Sequence, residues 1–160
     1  VGEEGSGFKI ILTNFNGERL SMSAMALGFA ECCYDEALAW ARQRKTFGSY
    51  LADKQAIQWM LADSEVELRA ARLLVYQAAW NADMGRDIKV EASMAKVYGT
   101  EAAGRVVDRC IQILGGMGVA QELPLERWYR EMRIKRIGEG PSEVHRMVIA
   151  RDMLGSSRAA

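Results

Sequence analysis

Proline is almost absent from this 160-residue chain: Pro124 and Pro141 are the only two, both in its last quarter. Nothing before residue 124 carries the residue that breaks helices by geometry, so the first three-quarters can be long helix. Histidine occurs once, at His145. That argues against a zinc site and against a di-metal carboxylate bundle, which needs Glu-x-x-His pairs; the stretch Glu143-Val144-His145 has the wrong spacing. The three cysteines, Cys32, Cys33 and Cys110, are odd in number and form no CxxC. Buried free thiols in a reducing compartment fit them better than a disulfide framework. Net charge is also missing, with 21 Lys plus Arg against 21 Asp plus Glu. A balanced chain has no field to gather nucleic acid or to dock on an acidic membrane. No apolar run approaches the roughly 20 residues that span a bilayer, and no secretory signal is visible.

What is present is helical periodicity. The length suits one domain with a sizeable core. The chain starts at Val1 with the Gly-rich "VGEEGSGF", so residues 1–15 read as a linker from a preceding domain and 16–160 as a helical bundle domain. Asn16 in "NFNG" offers an N-cap, with Glu18 in the first turn, and a first helix is expected from there to about Lys45. Leu27, Ala30, Tyr34, Ala37 and Ala41 form its stripe. Residues 8–12, "FKIIL", read as a short helix. A glycine in "TFGSY" breaks the first helix. The second is expected over 53–84, where Ile57, Leu61, Ser64, Leu68, Ala71, Val75, Ala78 and Ala82 step by four and three along one face. The third, 90–114, has a stripe of small residues: Ala92, Ala95, Gly99, Ala102, Ala103, Val106 and Val107. "GGMG" stops it in the manner of a glycine C-cap. A short helix over 124–132 and a last one from 141 to about 154 follow. The fold class is all-α: an up-and-down bundle of three long helices plus a short C-terminal helix pair, with no strand.

Four stretches admit both a plain and a chemical reading. In "RQRKTFG", Arg44 and Lys45 sit at a helix C-terminus, where positive charge is favoured anyway; they also suit an anion clamp, with the Thr46 hydroxyl and the flat Phe47 ring beside them. In "QILGGMG" the glycines are a cap, or a place where backbone approaches a cofactor near the Gln112 amide. "ERWYREMRIKR" mixes basic and aromatic residues; its two glutamates and the neutral whole favour a solvated face, with Trp128 and Tyr129 tucked inward, over nucleic-acid binding. In "RIGEGPSEVHR", Glu139 stands between two glycines. It is a solvated turn residue, or a base with an unobstructed approach to a substrate.

Taken in order, "GEEGSGF", "NFNGERL", "RQRKTFGSYLADKQAI", "AAWNADMG", "ASMAKVYGTEAAGRVVDRCIQILGGMG", "LPLERWYREMRIKRI" and "EGPSEVHRMVIAR" resemble the C-terminal helical domain of the acyl-CoA dehydrogenase family over nearly the whole chain. The resemblance implies an FAD enzyme that oxidises the Cα–Cβ bond of an acyl-CoA thioester to trans-2-enoyl-CoA. A carboxylate takes the α-proton, the β-hydrogen leaves as hydride to the flavin, and an electron-transfer flavoprotein accepts the electrons. Carried across, Arg44, Lys45, Thr46 and Phe47 look like the clamp on the FAD of a neighbouring subunit, and Gln55 like another flavin contact. Gln112, Ile113, Leu114, Gly115 and Gly116 look like the glycine turn beside that cofactor. Pro141, Ser142 and Glu143 match flavin-side positions, and Asn16, Gly17, Arg19, Gly140 and Arg151 substrate-side ones.

Glu139 aligns with the family's usual α-proton base. Some branches place the base before an arginine in the first long helix, where this chain has Glu18 followed by Arg19; Glu139 is the favoured candidate and Glu18 its rival. The chain departs from the usual pattern at Gly138 and Pro141, where an aromatic and a threonine are common; proline removes a hydroxyl and an N–H. A homodimer or homotetramer is implied, in bacterial cytoplasm or mitochondrial matrix. Without the family's preceding domains the isolated piece is expected to be inactive. Two other readings differ in their consequences: a purely structural oligomerisation bundle would bind no flavin, and a flavin oxidase or monooxygenase would consume oxygen.

Overall fold

The computed structural model describes residues 2–155. Helix α1 runs unbroken over Gly7–Gln43. Its start corrects the expectation of a linker up to residue 15 and of a cap at Asn16. Once a helix is nucleated each further residue adds a hydrogen bond, and nothing between Phe8 and Phe15 stops it; residues 8–12 are its first turns. Asn16 instead accepts a hydrogen bond from Arg19 Nη1 at 3.1 Å. After α1 comes a two-residue hairpin, β1 (Lys45–Thr46) paired antiparallel with β2 (Ser49–Tyr50), where no strand was expected. Phe47 and Gly48 both have positive φ, 52° and 82°, the requirement of a tight hairpin turn. A one-turn 3-10 helix, Leu51–Asp53, leads into α2 (Gln55–Asp83). Helix α3 is Lys89–Leu114, followed by the single turn α4 (Gly116–Val119), α5 (Leu125–Lys135) and α6 (Ser142–Leu154).

Helices α1 and α3 run parallel, with α2 antiparallel to both. Ser23 faces Gly99, where a Cβ would stand 3.6 Å from the serine Cβ. The small stripe read in α3 is buried throughout and meets Ala26, Ala30, Cys33, Ala37 and Ala41 of α1, so the two backbones approach closely. Of the stripe read in α1, only Tyr34 is not fully buried. Helix α2 adds Leu68, Ala71, Val75 and Ala78. Its stripe ends one residue early: Ala82 is exposed and Asn81 is buried, accepting a hydrogen bond from Arg86 at 2.8 Å. Helix α5 plugs the bundle with Leu125 and Met132. Trp128 packs inward, stacked on Phe29 at 5.3 Å, but Tyr129 is exposed, contrary to expectation. Cys33 and Cys110 are buried and Cys32 is exposed, all as free thiols.

Charged pairs brace the outside. Glu67 of α2 receives both Arg105 and Arg109 of α3, each at 2.8 Å. Burial alone would raise its carboxyl, but the two arginine hydrogen bonds outweigh this and hold it below the usual range. Arg72 reaches Glu31, and Arg146 pairs Glu101 through two bonds at 2.8 and 2.7 Å. No helix among the described residues is long and apolar enough to cross a membrane.

Candidate functional site

The candidate residues fall at two ends of the bundle. At one end the segment 136–141 lies between α5 and α6, over the early part of α1 and the start of α3. Glu139 there has φ 55° and Gly140 φ 101°; the left-handed region disfavours a side chain. Both carbonyls are held. Arg19 Nε donates to Glu139 O at 3.2 Å, and Lys96 Nζ donates to Gly140 O at 2.7 Å. The Ser142 N–H closes the loop on Arg136 O at 3.2 Å. Arg19 also lies 5.7 Å over the Phe15 ring.

Lys96 is 1% exposed. Burial, then the nearby Arg19 charge, lower its ammonium to about 8, with Glu139 opposing. Beneath Gly140 sits His145, fully buried. A Cβ on Gly140 would stand 3.1 Å from its Nε2. That nitrogen has no hydrogen-bond partner, though the Glu139 and Gly140 carbonyls are near; Nδ1 is 3.3 Å from Ser93 Oγ. Burial first, then the Lys96 and Arg19 charges, lower the imidazole to about 4, so it is neutral at neutral pH.

The structure thus gathers Asn16, Arg19, Glu139 and Gly140 into one connected group. Glu18 is exposed on α1 and makes no hydrogen bond or ion pair among the described residues. Gly17 is exposed, with nothing within 4 Å of a Cβ. Pro141 turns the chain into α6 and its carbonyl receives the Val144 N–H at 3.0 Å. Ser142 is buried beside Glu101, whose carboxyl it helps Arg146 to lower. Glu143 is exposed in the first turn of α6, where negative charge is favoured. Arg151 is not brought to this group: it lies nine residues beyond Ser142, about 14 Å along α6.

At the other end the hairpin projects from the bundle. Phe47 is wholly exposed at its tip. Arg44 and Lys45 have no carboxylate partner among the described residues; Lys45 Nζ lies 4.4 Å over the Tyr50 ring. Thr46 is half-buried and Gln55 exposed. At the close of α3, Gln112, Gly115 and Gly116 are exposed, while Ile113 and Leu114 are core residues that can offer only backbone. A Cβ on Gly115 or Gly116 would meet nothing within 4 Å, so the space beside this turn is open. Unpaired cations, a bare aromatic ring and open glycine backbone suit a flat cofactor carrying phosphates.

Two features escaped the sequence reading. His145 was weighed only as a metal ligand, and Lys96 was not singled out. Nor was the outward face of α2, where Trp59, Val66, Leu73 and Trp80 recur every seven residues, all exposed; a second apolar series beside the inner one was the available signal.

Comparisons with known proteins follow the same line. The family described as acyl-CoA dehydrogenase, C-terminal domain, matches residues 5–154. The chain is 43% identical over 159 residues to a short-chain specific mitochondrial acyl-CoA dehydrogenase of Bos taurus, covering 99% of this chain and 39% of that protein. It is 42% identical to a probable acyl-CoA dehydrogenase, YngJ, of Bacillus subtilis, over 96% of this chain and 40% of the relative. The structure of butyryl-CoA dehydrogenase from Megasphaera elsdenii superposes with TM-score 0.94 at 40% identity, over 96% of this chain and 40% of that one. An FAD complex of PigA superposes with TM-score 0.91 at 29% identity, over 96% of this chain and 40% of that one. The chain therefore spans about two-fifths of the length of these relatives.

Proposed function

We propose, from the premise that the chain belongs to the acyl-CoA dehydrogenase family and forms its C-terminal domain, that it serves the FAD-dependent oxidation of an acyl-CoA to a trans-2-enoyl-CoA, with Glu139 removing the α-proton. The observation that carries the choice of base is the loop. Glu139 is half-buried in a loop whose carbonyls at 139 and 140 are held from two helices, whereas the Glu18 side chain is exposed on the outside of α1. A proton beside a thioester is only weakly acidic, so its base must be held within reach and aimed. The flanking glycines let the loop pack closely, since a Cβ on Gly138 would stand 2.9 Å from the Met22 methyl and one on Gly140 3.1 Å from His145 Nε2.

When bound, the flavin supplies the acceptor for the β-hydride. Arg44 would hold its phosphates, Phe47 would offer a flat surface, and the Gln112 amide with the Gly115–Gly116 backbone would line the opposite side. The electrons are proposed to pass to an electron-transfer flavoprotein.

The functional unit is proposed to be a homo-oligomer. From Arg19 to Gln43 along α1 is 24 residues, about 36 Å, more than one flavin dinucleotide bridges. If both ends of the chain address flavin, they address two of them, in two subunits. The exposed series on α2 gives such an assembly an apolar face. Trp59→Glu with Trp80→Glu should lower the mass measured by sedimentation; an unchanged mass sinks that part of the reading.

The test of the activity is anaerobic flavin bleaching of the full protein with a panel of acyl-CoA thioesters, comparing wild type, Glu139→Gln and Glu18→Gln. Loss in Glu139→Gln alone supports the assignment. Loss in Glu18→Gln alone moves the base to α1. No bleaching of a flavin-loaded wild type by any acyl-CoA refutes the dehydrogenase, and oxygen uptake on reduction marks an oxidase.

A further inference from the structure

We infer that Lys96 is a positioning residue for Glu139: its ammonium, buried inside the bundle and hydrogen-bonded to the Gly140 carbonyl, fixes the backbone that aims the carboxylate. This rests on Glu139 being the base proposed above.

Lysine is almost never fully buried without a paired charge. Lys96 is 1% exposed and has no carboxylate within ion-pair distance among the described residues. It stands in the middle of a stripe of small residues, between Ala92, Ala95 and Gly99, where an apolar side chain would avoid the cost of desolvating an ammonium. The groups that face it are the Arg19 guanidinium from α1, the neutral His145 ring from α6 and Glu139 from the loop; of the two charges, the repulsion of Arg19 outweighs the attraction of Glu139. Against these costs the structure shows one strong contact, 2.7 Å to Gly140 O.

That carbonyl is a telling place to hold. Glycine has the widest choice of backbone angles, and Gly140 follows a residue already in the left-handed region. A loose Gly140 peptide would let the preceding carboxylate swing. Arg19 restrains the peptide from Glu139 to Gly140 and Lys96 the peptide from Gly140 to Pro141, so the main chain that leaves the base is fixed at two successive units. His145 underneath closes the remaining space, as the 3.1 Å clearance at Gly140 shows.

The experiment uses the flavin-loaded full protein. Lys96→Met keeps length and removes the donor. It should lower kcat about 100-fold, the size of effect that a misplacement of about 1 Å produces, while KM moves by less than about threefold. Amide exchange over residues 137–142 should quicken, while the cores of α1 and α3 stay protected. Wild-type kcat in this variant overturns the inference, as does a loss accompanied by faster exchange throughout α3. A second measurement needs no substitution. Protection of the Ser142 amide, corrected for the intrinsic effect of pH, should fall as pH passes 8, where the bond to Gly140 loses its charge assistance; constant protection from pH 7 to 9.5 overturns the inference. Full activity in Glu139→Gln sinks the base assignment by itself, whereas the exchange results judge the anchoring by Lys96 in either case.

Discussion

The two ends of this bundle are built on opposite plans. Around Glu139 every restraint comes from within the chain: Arg19 from α1, Lys96 from α3 and His145 from α6 converge on two peptide units. Around Phe47 almost nothing is restrained from within. The ring is exposed with only the Lys54 ammonium 6.0 Å over it, the adjacent cations lack acidic partners among the described residues, and the glycine turn after α3 borders open space. A group that must meet a reacting atom cannot wait to be ordered by its substrate without losing rate. On the proposed function, a group that grips a shared cofactor can be left open, because the cofactor and a second subunit would complete it. The contrast separates a proposed chemical end from a proposed holding end in one molecule.

The sharpest way to break this contrast is at the carboxylate. Glu139→Gln should reduce flavin reduction by acyl-CoA by about 10²–10⁴-fold, the usual worth of a positioned base, measured by anaerobic stopped flow; the same change at Glu18 should cost less than about tenfold. Acid tests the interior of the same end. His145 is held down to about 4 from an ordinary 6.5, so the unfolded chain binds more protons between those values. The stability due to its neutral form is present above pH 6.5 and is lost as pH falls toward 4, by up to about 3 kcal/mol. Urea unfolding at several pH values reads the slope, and His145→Gln should flatten it.

Smaller effects sharpen the comparison. Gly140→Ala places a side chain at φ 101° and 3.1 Å from His145 Nε2, and should destabilise by about 1–3 kcal/mol in thermal unfolding. At the opposite end Arg44→Ala should weaken FAD binding by about tenfold, the loss of one charge-assisted hydrogen bond. Without flavin it should leave unfolding within about 0.5 kcal/mol of wild type. A large loss of stability from Arg44→Ala would erase the distinction between the two ends.

The helices were legible because burial writes a period into the sequence. The inner series of α2 as far as Ala78 and the small stripe of α3 were readable residue by residue, and so was the stop at Gly115. Local signals did worse where tertiary or chain-propagation effects overruled them. Asn16 has the chemistry of a cap, yet lies in mid-helix and serves Arg19. The hairpin was missed because its two-residue strands carry no alternation, only the Phe47-Gly48 turn. At the site, Glu139 and Arg19 stood out by motif and are brought together. Lys96 did not, because a lysine inside an apolar stripe reads as an interruption until its partner is known, and Gly140 lies 44 residues further on. The burial of His145 was unreadable for the same reason.

Helix α1 joins both ends without a break, from Arg19 beside the loop to Gln43 at the foot of the hairpin. Its side chains tolerate exchange wherever they face outward, but its count of residues does not. One residue inserted between those points would turn Arg19 by about 100° and slide it about 1.5 Å relative to the hairpin, withdrawing its guanidinium from the Glu139 carbonyl. The same insertion would move the Ala-rich stripe out of phase with α3. Substitutions and insertions in α1 therefore belong to different classes of risk: the helix is a gauge block whose length is fixed even where its composition is free.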